Sequence, residues 1–203
     1  MDMAEADPHA FVGRGGLKLL HALQSFGVSP EGLSCADLGC NVGGFTDCLL
    51  VHGARLVYAV DTAYGTLAWT LRQDPRVVVL ERTNALHVQP PERVGLVVID
   101  LGWTVQARAI PAALPWLKPQ GRIITLIKPH YEALGGERSG LSRGVLDDST
   151  AGQVARRVLD DMPQLGVRVL ASDRSPIRGG HSKGNRTGNI EWLALLAPAA
   201  DES

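Results

Sequence analysis

Cysteine is scarce in this chain and badly placed for any covalent or metal framework. Cys35, Cys40 and Cys48 are odd in number, crowd into one half of the sequence, and have no Cys or His partners at spacings that zinc sites use. They read as buried thiols, and since the six histidines are scattered, no metal site is expected. Long apolar runs are missing too. The greasiest stretches, Val94 to Ile99 and Ile123 to Ile127, fall far short of the roughly 20 residues that cross a bilayer, so a membrane-spanning helix is not expected. Residues 1–8 carry acids where a signal peptide carries positive charge, and no apolar stretch follows. Residues 1–10 read as a flexible tail, residues 11–203 as one domain, and the expected location is cytoplasmic. A large charge of one sign is also lacking: 20 Lys+Arg against 21 Asp+Glu argues against a protein that coats nucleic acid along its whole surface.

What is present is enough for one sizeable core: 203 residues, 45% of them hydrophobic. The charge is unevenly spread, with 7 basic and 11 acidic residues in 1–100 against 13 and 10 in 101–203. Between Arg168 and Arg186 stand Arg174, Arg178, Lys183 and His181, with Asp173 the only acid. Such a cluster can follow a phosphate backbone, or it can be a solvated basic loop.

Short β-branched runs alternate with helical stretches. Strands are expected at 34–38, 55–60, 77–80, 94–99, 122–127, 167–171 and 189–196, and helices at 17–26, 45–52, 66–73, 107–117 and 149–162. Strands that are apolar throughout, rather than alternating, are covered on both faces. The expectation is an α/β fold with a mostly parallel seven-stranded sheet, helices on both faces, and every strand in that one sheet. The polar, glycine-rich stretch from Gly135 to Gly144 is expected to be a mobile loop outside the core.

Ligands of open α/β sheets bind at the carboxyl ends of the strands. There the first strand runs into Asp37-Leu-Gly-Cys-Asn-Val-Gly-Gly44, whose glycines allow tight turns and close approach of a ligand to the backbone. Asp61 closes the second strand 24 residues after Asp37, where a carboxylate can accept hydrogen bonds from ribose hydroxyls. A dinucleotide would want Gly-x-Gly-x-x-Gly to hold its pyrophosphate at a helix start. Here Gly39 is followed by Gly43-Gly44, and an acid lies two positions ahead. That acid repels pyrophosphate and suits the ammonium of S-adenosylmethionine, which this spacing favours. In the plainer reading the glycines only turn the chain and Asp37 caps the next helix.

Four polar residues stand at the ends of apolar segments: Lys18 after Gly15-Gly16-Leu17, Asp100 after Val97-Val98-Ile99, Lys128 after Ile123 to Ile127, and Glu191 before Trp192-Leu193. Lysine amines and carboxylates around a nucleotide-like cofactor handle protons and charge. A second cation and partial burial would lower the Lys128 amine toward neutrality, fitting it to take a proton from an alcohol. Asp100 would hold Lys128 in line, and Glu191 would orient Lys18 or the ribose. The alternative roles are a surface ion pair for Lys18 and Glu191, and a helix cap for Asp100.

The chain resembles the FtsJ-like ribose methyltransferases and, within them, the hemolysin A (TlyA-type) ribosomal RNA methyltransferases. The resemblance runs from about Phe11 to Leu196, through Phe11 to Leu19, Asp37 to Asp47, Val57 to Asp61, Glu81 to Asn84, Ile127-Lys-Pro129, Ser175-Pro-Ile177 and Gly188 to Glu191. It implies a Rossmann-like methyltransferase fold with S-adenosylmethionine as cofactor, and a catalytic tetrad falling on Lys18, Asp100, Lys128 and Glu191. It further implies cofactor contacts from Asp37, Gly39, Cys40, Asn41, Gly43, Gly44, Phe45, Asp61 and Asp100, with Asn84 at the adenosine end. RNA, ribosomal by resemblance, would meet Arg14, Arg138, Arg143, Arg174, Arg178, Lys183 and Arg186, while Trp103 and Tyr131 would stack on a base or line the pocket.

Only 17 residues precede Lys18, so the S4 RNA-binding domain of TlyA-type proteins is expected to be absent. The family's Asp-x-Ser-Phe and Lys-Pro-Gln-Phe-Glu appear as Asp100-Leu-Gly-Trp103 and Lys128-Pro-His-Tyr-Glu132. These differences leave open a transfer RNA or a small hydroxylated metabolite as acceptor, or a non-catalytic RNA-binding or hemolysin-like protein.

Overall fold

The computed structural model describes residues 11–180 and 188–199. The expected tail, residues 1–10, lies outside them, as do His181, Lys183 and Arg186 of the basic cluster. Seven strands form the main sheet: β1 (Ser34–Leu38), β2 (Leu56–Val60), β3 (Val77–Leu80), β4 (Val94–Ile99), β5 (Leu117–Ile127), β8 (Val167–Arg174) and β9 (Trp192–Pro198). Their order is β3-β2-β1-β4-β5-β9-β8. β9 runs antiparallel to both of its neighbours, and the other pairings are parallel.

The helices are α1 (Gly15–Phe26), α2 (Gly44–Val51), α3 (Trp69–Arg72), α4 (Gln106–Ala113), α5 (Pro129–Glu132) and α6 (Asp148–Asp161). Alternate residues of each strand feed two separate cores. Cys35, Val57, Ala59, Leu96, Val98, Ile124 and Leu126 pack with Leu19 and Leu23 of α1 and Phe45 and Leu49 of α2. Ala36, Tyr58, Val97, Ile99, Ile123 and Ile127 pack on the other face with Ile110 of α4, Trp116, and Val154 and Val158 of α6. This two-sided burial is why β2, β4 and the last part of β5 are almost wholly apolar. Cys35, Cys40 and Cys48 are buried free thiols, and burial above all pushes each up, Cys35 to about 12.

The order of strands leaves a crevice between β1 and β4, where the chain stops building toward β3 and starts building toward β5. Register decides which loops meet there. Leu38 pairs with Ile99, so Gly39 lies beside Asp100. Ile127 pairs with Trp192 in the antiparallel sense, so the next residue on β5, Lys128, faces the residue before β9, Glu191. Sheet pairing alone therefore gathers three of the four polar strand-end residues at one edge.

Three expectations need correction. The stretch from Gly135 to Gly144 is not a bare loop: it forms a 3-10 turn (Gly135–Gly140) and most of a hairpin, β6 (Leu141–Ser142) with β7 (Val145–Leu146). This hairpin is a second, two-stranded sheet, so the strands do not all belong to one sheet. Its anchor is buried Leu146, whose N–H donates to Asn189 Oδ1 at 2.9 Å, while Asn189 Nδ2 donates to the Gly144 carbonyl at 2.8 Å. The helix expected at 66–73 shortens to α3, because the Ala68 N–H is drawn out to the Val42 carbonyl at 3.1 Å.

Candidate active site

The glycine loop leaves β1 under tight steric control. Gly39 has φ +95°, and a Cβ there would come within 2.6 Å of the Asp100 carbonyl oxygen, so only glycine lets β1 and β4 close this near. Gly43, at φ +102°, starts α2, and Gly44 packs so closely on Gly13 and Gly16 that a Cβ would lie 2.9 Å from their backbones. Gly39, Asn41, Asp61, Thr83, Asn84, Asp100, Trp103 and Lys128 are among the residues lining a cavity of about 540 Å³ at the carboxyl ends of the strands. A smaller hollow of about 70 Å³ adjoins it, lined by Gly15, Cys40, Val42, Gly44 and Phe45, and shares Gly39, Asn41 and Asp100 with it.

Asp61 is held for presentation. Its Oδ2 accepts the Asn41 N–H and its Oδ1 the Ala63 N–H, both at 2.8 Å, which fixes the carboxylate while leaving each oxygen a further lone pair. Asn84 uses its Oδ1 on the Leu86 N–H at 2.9 Å and stands exposed on the cavity wall. Asp37 is placed differently from what was expected of a cofactor contact. It lines neither hollow, is fully buried beneath the loop, and accepts from Thr46 Oγ1 at 2.7 Å through Oδ2. Its Oδ1 is buried without a hydrogen-bond partner among the described residues. Burial pushes this carboxyl up to about 7 against the pull of the Thr46 hydroxyl, and Asp100 and Asp61 add to the rise.

The four strand-end residues meet as two ion pairs. Lys128 Nζ lies 2.5 Å from Asp100 Oδ1 and donates to the Leu101 carbonyl at 3.3 Å. Lys18 Nζ lies 2.5 Å from Glu191 Oε2, with both residues buried. The second pair is therefore not a surface pair. Lys128 also departs from expectation in its proton affinity: burial lowers it, but the charge and hydrogen bond of Asp100, followed by the charge of Glu191, outweigh burial and raise the amine above its ordinary value. With the Asp100 carboxylate at 2.5 Å, Lys128 rests as the ammonium.

Beside this pair three rings form a ladder. His130 and Tyr131 have centroids 4.0 Å apart, and Tyr131 and Trp103 4.8 Å. Burial, then the charges of Lys128 and Lys18, push His130 down to about 4, so it is neutral near pH 7. Trp103 is 86% exposed at φ +57°, on the cavity's lip.

Sequence reasoning assigned no role to the residues that brace these loops. Glu132 is buried, and its Oε1 accepts the N–H of Gln106, the first residue of α4, at 2.7 Å. Gln106 Nε2 donates to the Leu126 carbonyl at 3.2 Å, and its Oε1 accepts from Thr125 Oγ1 at 2.8 Å. This network ties the turn after Lys128 to the loop after Asp100. The available signal was Thr125, the lone hydroxyl in an otherwise aliphatic strand end.

Of the basic residues expected to meet RNA, five are described. Arg14 donates to the Arg178 carbonyl at 3.1 Å, Arg178 pairs with Asp148 at 2.9 Å, and Arg174 lies 3.9 Å from the same carboxylate. Arg138 donates to the Ala133 carbonyl at 3.0 Å, and Arg143 is exposed at φ +51°. A larger hollow, about 960 Å³, lies between α6 and β8, but it is lined by four aspartates and three arginines and stands apart from the glycine loop. Among the described residues no group of three or more His, Cys, Asp and Glu is placed to hold a metal, and no helix is long and apolar enough to cross a membrane.

The 16S/23S rRNA (cytidine-2'-O)-methyltransferase TlyA of Mycobacterium tuberculosis is 38% identical to this chain, over 96% of it and 71% of the relative. Hemolysin A of Brachyspira hyodysenteriae is 35% identical, over 91% and 75%. A solved chain from Streptococcus thermophilus, named as a presumed hemolysin, superposes with a TM-score of 0.85 at 36% identity, over 94% of this chain and 68% of that one. The family model described as FtsJ-like methyltransferase matches residues 11–184, and the chain belongs to that family.

Proposed function

We propose that this chain transfers a methyl group from S-adenosylmethionine to the 2′-oxygen of a ribose in RNA, with ribosomal RNA as the substrate class. The observation that carries the reading is the meeting of two lysine–carboxylate pairs, Lys128–Asp100 and Lys18–Glu191, at the strand ends beside the glycine-loop cavity. TlyA of M. tuberculosis, named for that reaction, supports the acceptor.

The cavity fits this cofactor better than it fits a dinucleotide. About 540 Å³ lies within the range of small-ligand sites. Asp61 and Asp100 on its wall favour a cation and disfavour a pyrophosphate. The residues that would hold the cofactor are Gly39, Cys40, Asn41, Gly43, Gly44 and Phe45 of the loop, Asp61 at ribose hydroxyls, Asn84 at the adenosine end and Asp100 near the positive centre, with Asp37 acting from below. Bound there, S-adenosylmethionine would supply an electrophilic methyl group, and a positive charge near Asp100 would weaken the pull that keeps Lys128 protonated.

Lys128, once its ammonium has lost a proton to water, takes the proton of the incoming hydroxyl at Nζ, a contribution typically worth ~10²- to 10⁴-fold. Asp100 aims that amine through the 2.5 Å contact. Lys18, fixed by Glu191, places a second positive charge beside the reacting oxygen and lowers the cost of its developing negative charge. Arg14, Arg138, Arg143, Arg174 and Arg178 supply phosphate contacts, together with Lys183 and Arg186. Trp103 and Tyr131 form the wall that a splayed base meets.

The test is incubation with tritiated S-adenosylmethionine and bacterial ribosomal RNA lacking this modification, followed by alkaline digestion and mapping. The expected result is label at one ribose whose 3′ phosphodiester resists alkali. Label on a base, or label only on small molecules, contradicts the reading.

A further inference from the structure

We infer that Gly179 is a positioning residue for the Lys18–Glu191 pair, acting through the room that its missing side chain leaves for the Glu191 carboxylate. The inference rests on the catalytic reading of that pair and names a residue outside it. The chain leaving β8 passes directly over Glu191. There the Gly179 N–H donates to the Asn189 carbonyl at 2.8 Å, and the Ser175 N–H donates to the Glu191 carbonyl at 2.9 Å, so the backbone on both sides of Glu191 is clamped. A Cβ at position 179 would lie 2.6 Å from Glu191 Oε1 and 3.2 Å from its Cδ. Glu191 is only 3% exposed, and its Oε2 already holds Lys18 at 2.5 Å. Its carboxylate therefore fits between Lys18 and the bare face of Gly179, and any side chain there presses on the end bearing the ion pair.

The two glycines of this crossing have separable effects. Gly188 sits at φ +69°, and a Cβ there would lie 2.2 Å from the Gly179 carbonyl oxygen, so a substitution at Gly188 disrupts backbone. Gly179 has no positive φ, and its closest neighbour is the tip of a side chain that can swing away. Alanine at 179 is thus mild for the fold and disruptive for the carboxylate's position. The same crossing is tied to α1, because Arg14, the residue before that helix, donates to the Arg178 carbonyl at 3.1 Å. Helix α1 carries Lys18, so both members of the pair are referenced to residues 178–179.

The experiment compares Gly179→Ala in the wild-type and Glu191→Asp backgrounds, measuring single-turnover methyl transfer at saturating S-adenosylmethionine on the same ribosomal RNA. Aspartate keeps the charge and draws its oxygens back by one methylene, away from position 179. The expected result for Gly179→Ala alone is a loss of about 10²-fold in rate, the scale of a misplacement near 1 Å, with cofactor affinity unchanged and a melting temperature within about 4 °C of wild type. In the Glu191→Asp background the same change is expected to cost almost nothing. Wild-type turnover by Gly179→Ala, or an equal loss in both backgrounds, overturns the inference.

A crystal structure of the Gly179→Ala protein decides the same point without any acceptor. A Lys18–Glu191 separation beyond about 3.5 Å, past hydrogen-bond reach, supports the inference. A pair still at 2.5 Å overturns it. If wild type itself transfers no methyl group to RNA, the proposed function fails and the crystallographic result still stands.

Discussion

The two lysine–carboxylate pairs share a separation of 2.5 Å and differ in almost everything around it. Lys128 and Asp100 directly follow neighbouring parallel strands, keep 16% and 24% of their side chains exposed, and line the cavity. Lys18 and Glu191 come from α1 and the residue before β9, are 173 residues apart in sequence, and keep only 9% and 4% of their side chains exposed. The first pair is open to a ligand, so its charge balance can change on binding. The second is closed and clamped.

The sharpest way to break the comparison is to remove the amine that moves a proton. Lys128→Ala is expected to lose about 10³-fold or more in rate, within the range of general-base contributions, while calorimetry finds cofactor binding preserved. A loss equally divided between rate and cofactor affinity would mean that Lys128 binds rather than reacts.

The second pair should fail differently. Glu191→Ala leaves the Lys18 ammonium buried without its partner, and urea denaturation should show a loss of about 3–5 kcal/mol. Replacing both members, as Lys18→Met with Glu191→Leu, should restore most of that stability and none of the methyl transfer. Recovery of activity in the double variant would make the pair structural only.

A smaller effect separates either pair from Asp37 beneath the loop. Its folded pKa, about 7, lies above the ordinary value of 3.8, so the folded state holds the proton more tightly than the unfolded state. The stability it contributes is present below about pH 4 and is lost as pH rises toward 7. Asp37→Asn should remove that decline, with melting curves of the two proteins diverging between pH 4 and 8 by at most a few kcal/mol in favour of the variant at the alkaline end. His130, pushed down to about 4, acts in the opposite sense in both proteins and cancels in the difference. Parallel curves would show that Asp37 is ionised in the fold.

Much of this arrangement was legible in the sequence, for identifiable reasons. Short, mostly apolar runs at 34–38, 77–80 and 94–99 became strands with those bounds, and in the first the polar Ser34 and Asp37 are buried along with their apolar neighbours. Lys128 and Asp100 stood out because a charge ending a buried strand has few structural uses. What escaped notice depended on distant contacts. The β6–β7 hairpin takes its hold from Asn189, more than 40 residues away, and the local glycine-rich composition carries no trace of that bond. The burial of Lys18 and Glu191 likewise follows from α1 packing against β9, which no local pattern announces. The direction of the Lys128 shift differs from expectation because sequence gives residue types and not distances: Asp100 at 2.5 Å, with the charge of Glu191, outweighs burial.

Whether Asp100 keeps Lys128 charged until the acceptor's proton must leave is decided by the pH dependence of single-turnover methyl transfer in wild type and Asp100→Asn, both at saturating cofactor. For wild type the rate should climb with pH and still be rising at the alkaline limit that RNA tolerates, since the amine must lose a proton from a raised pKa. In Asp100→Asn burial acts on Lys128 without its strongest opponent, so the climb should shift to lower pH while the maximal rate falls. Two profiles with the same midpoint, or a wild-type rate that does not depend on pH, would contradict the account.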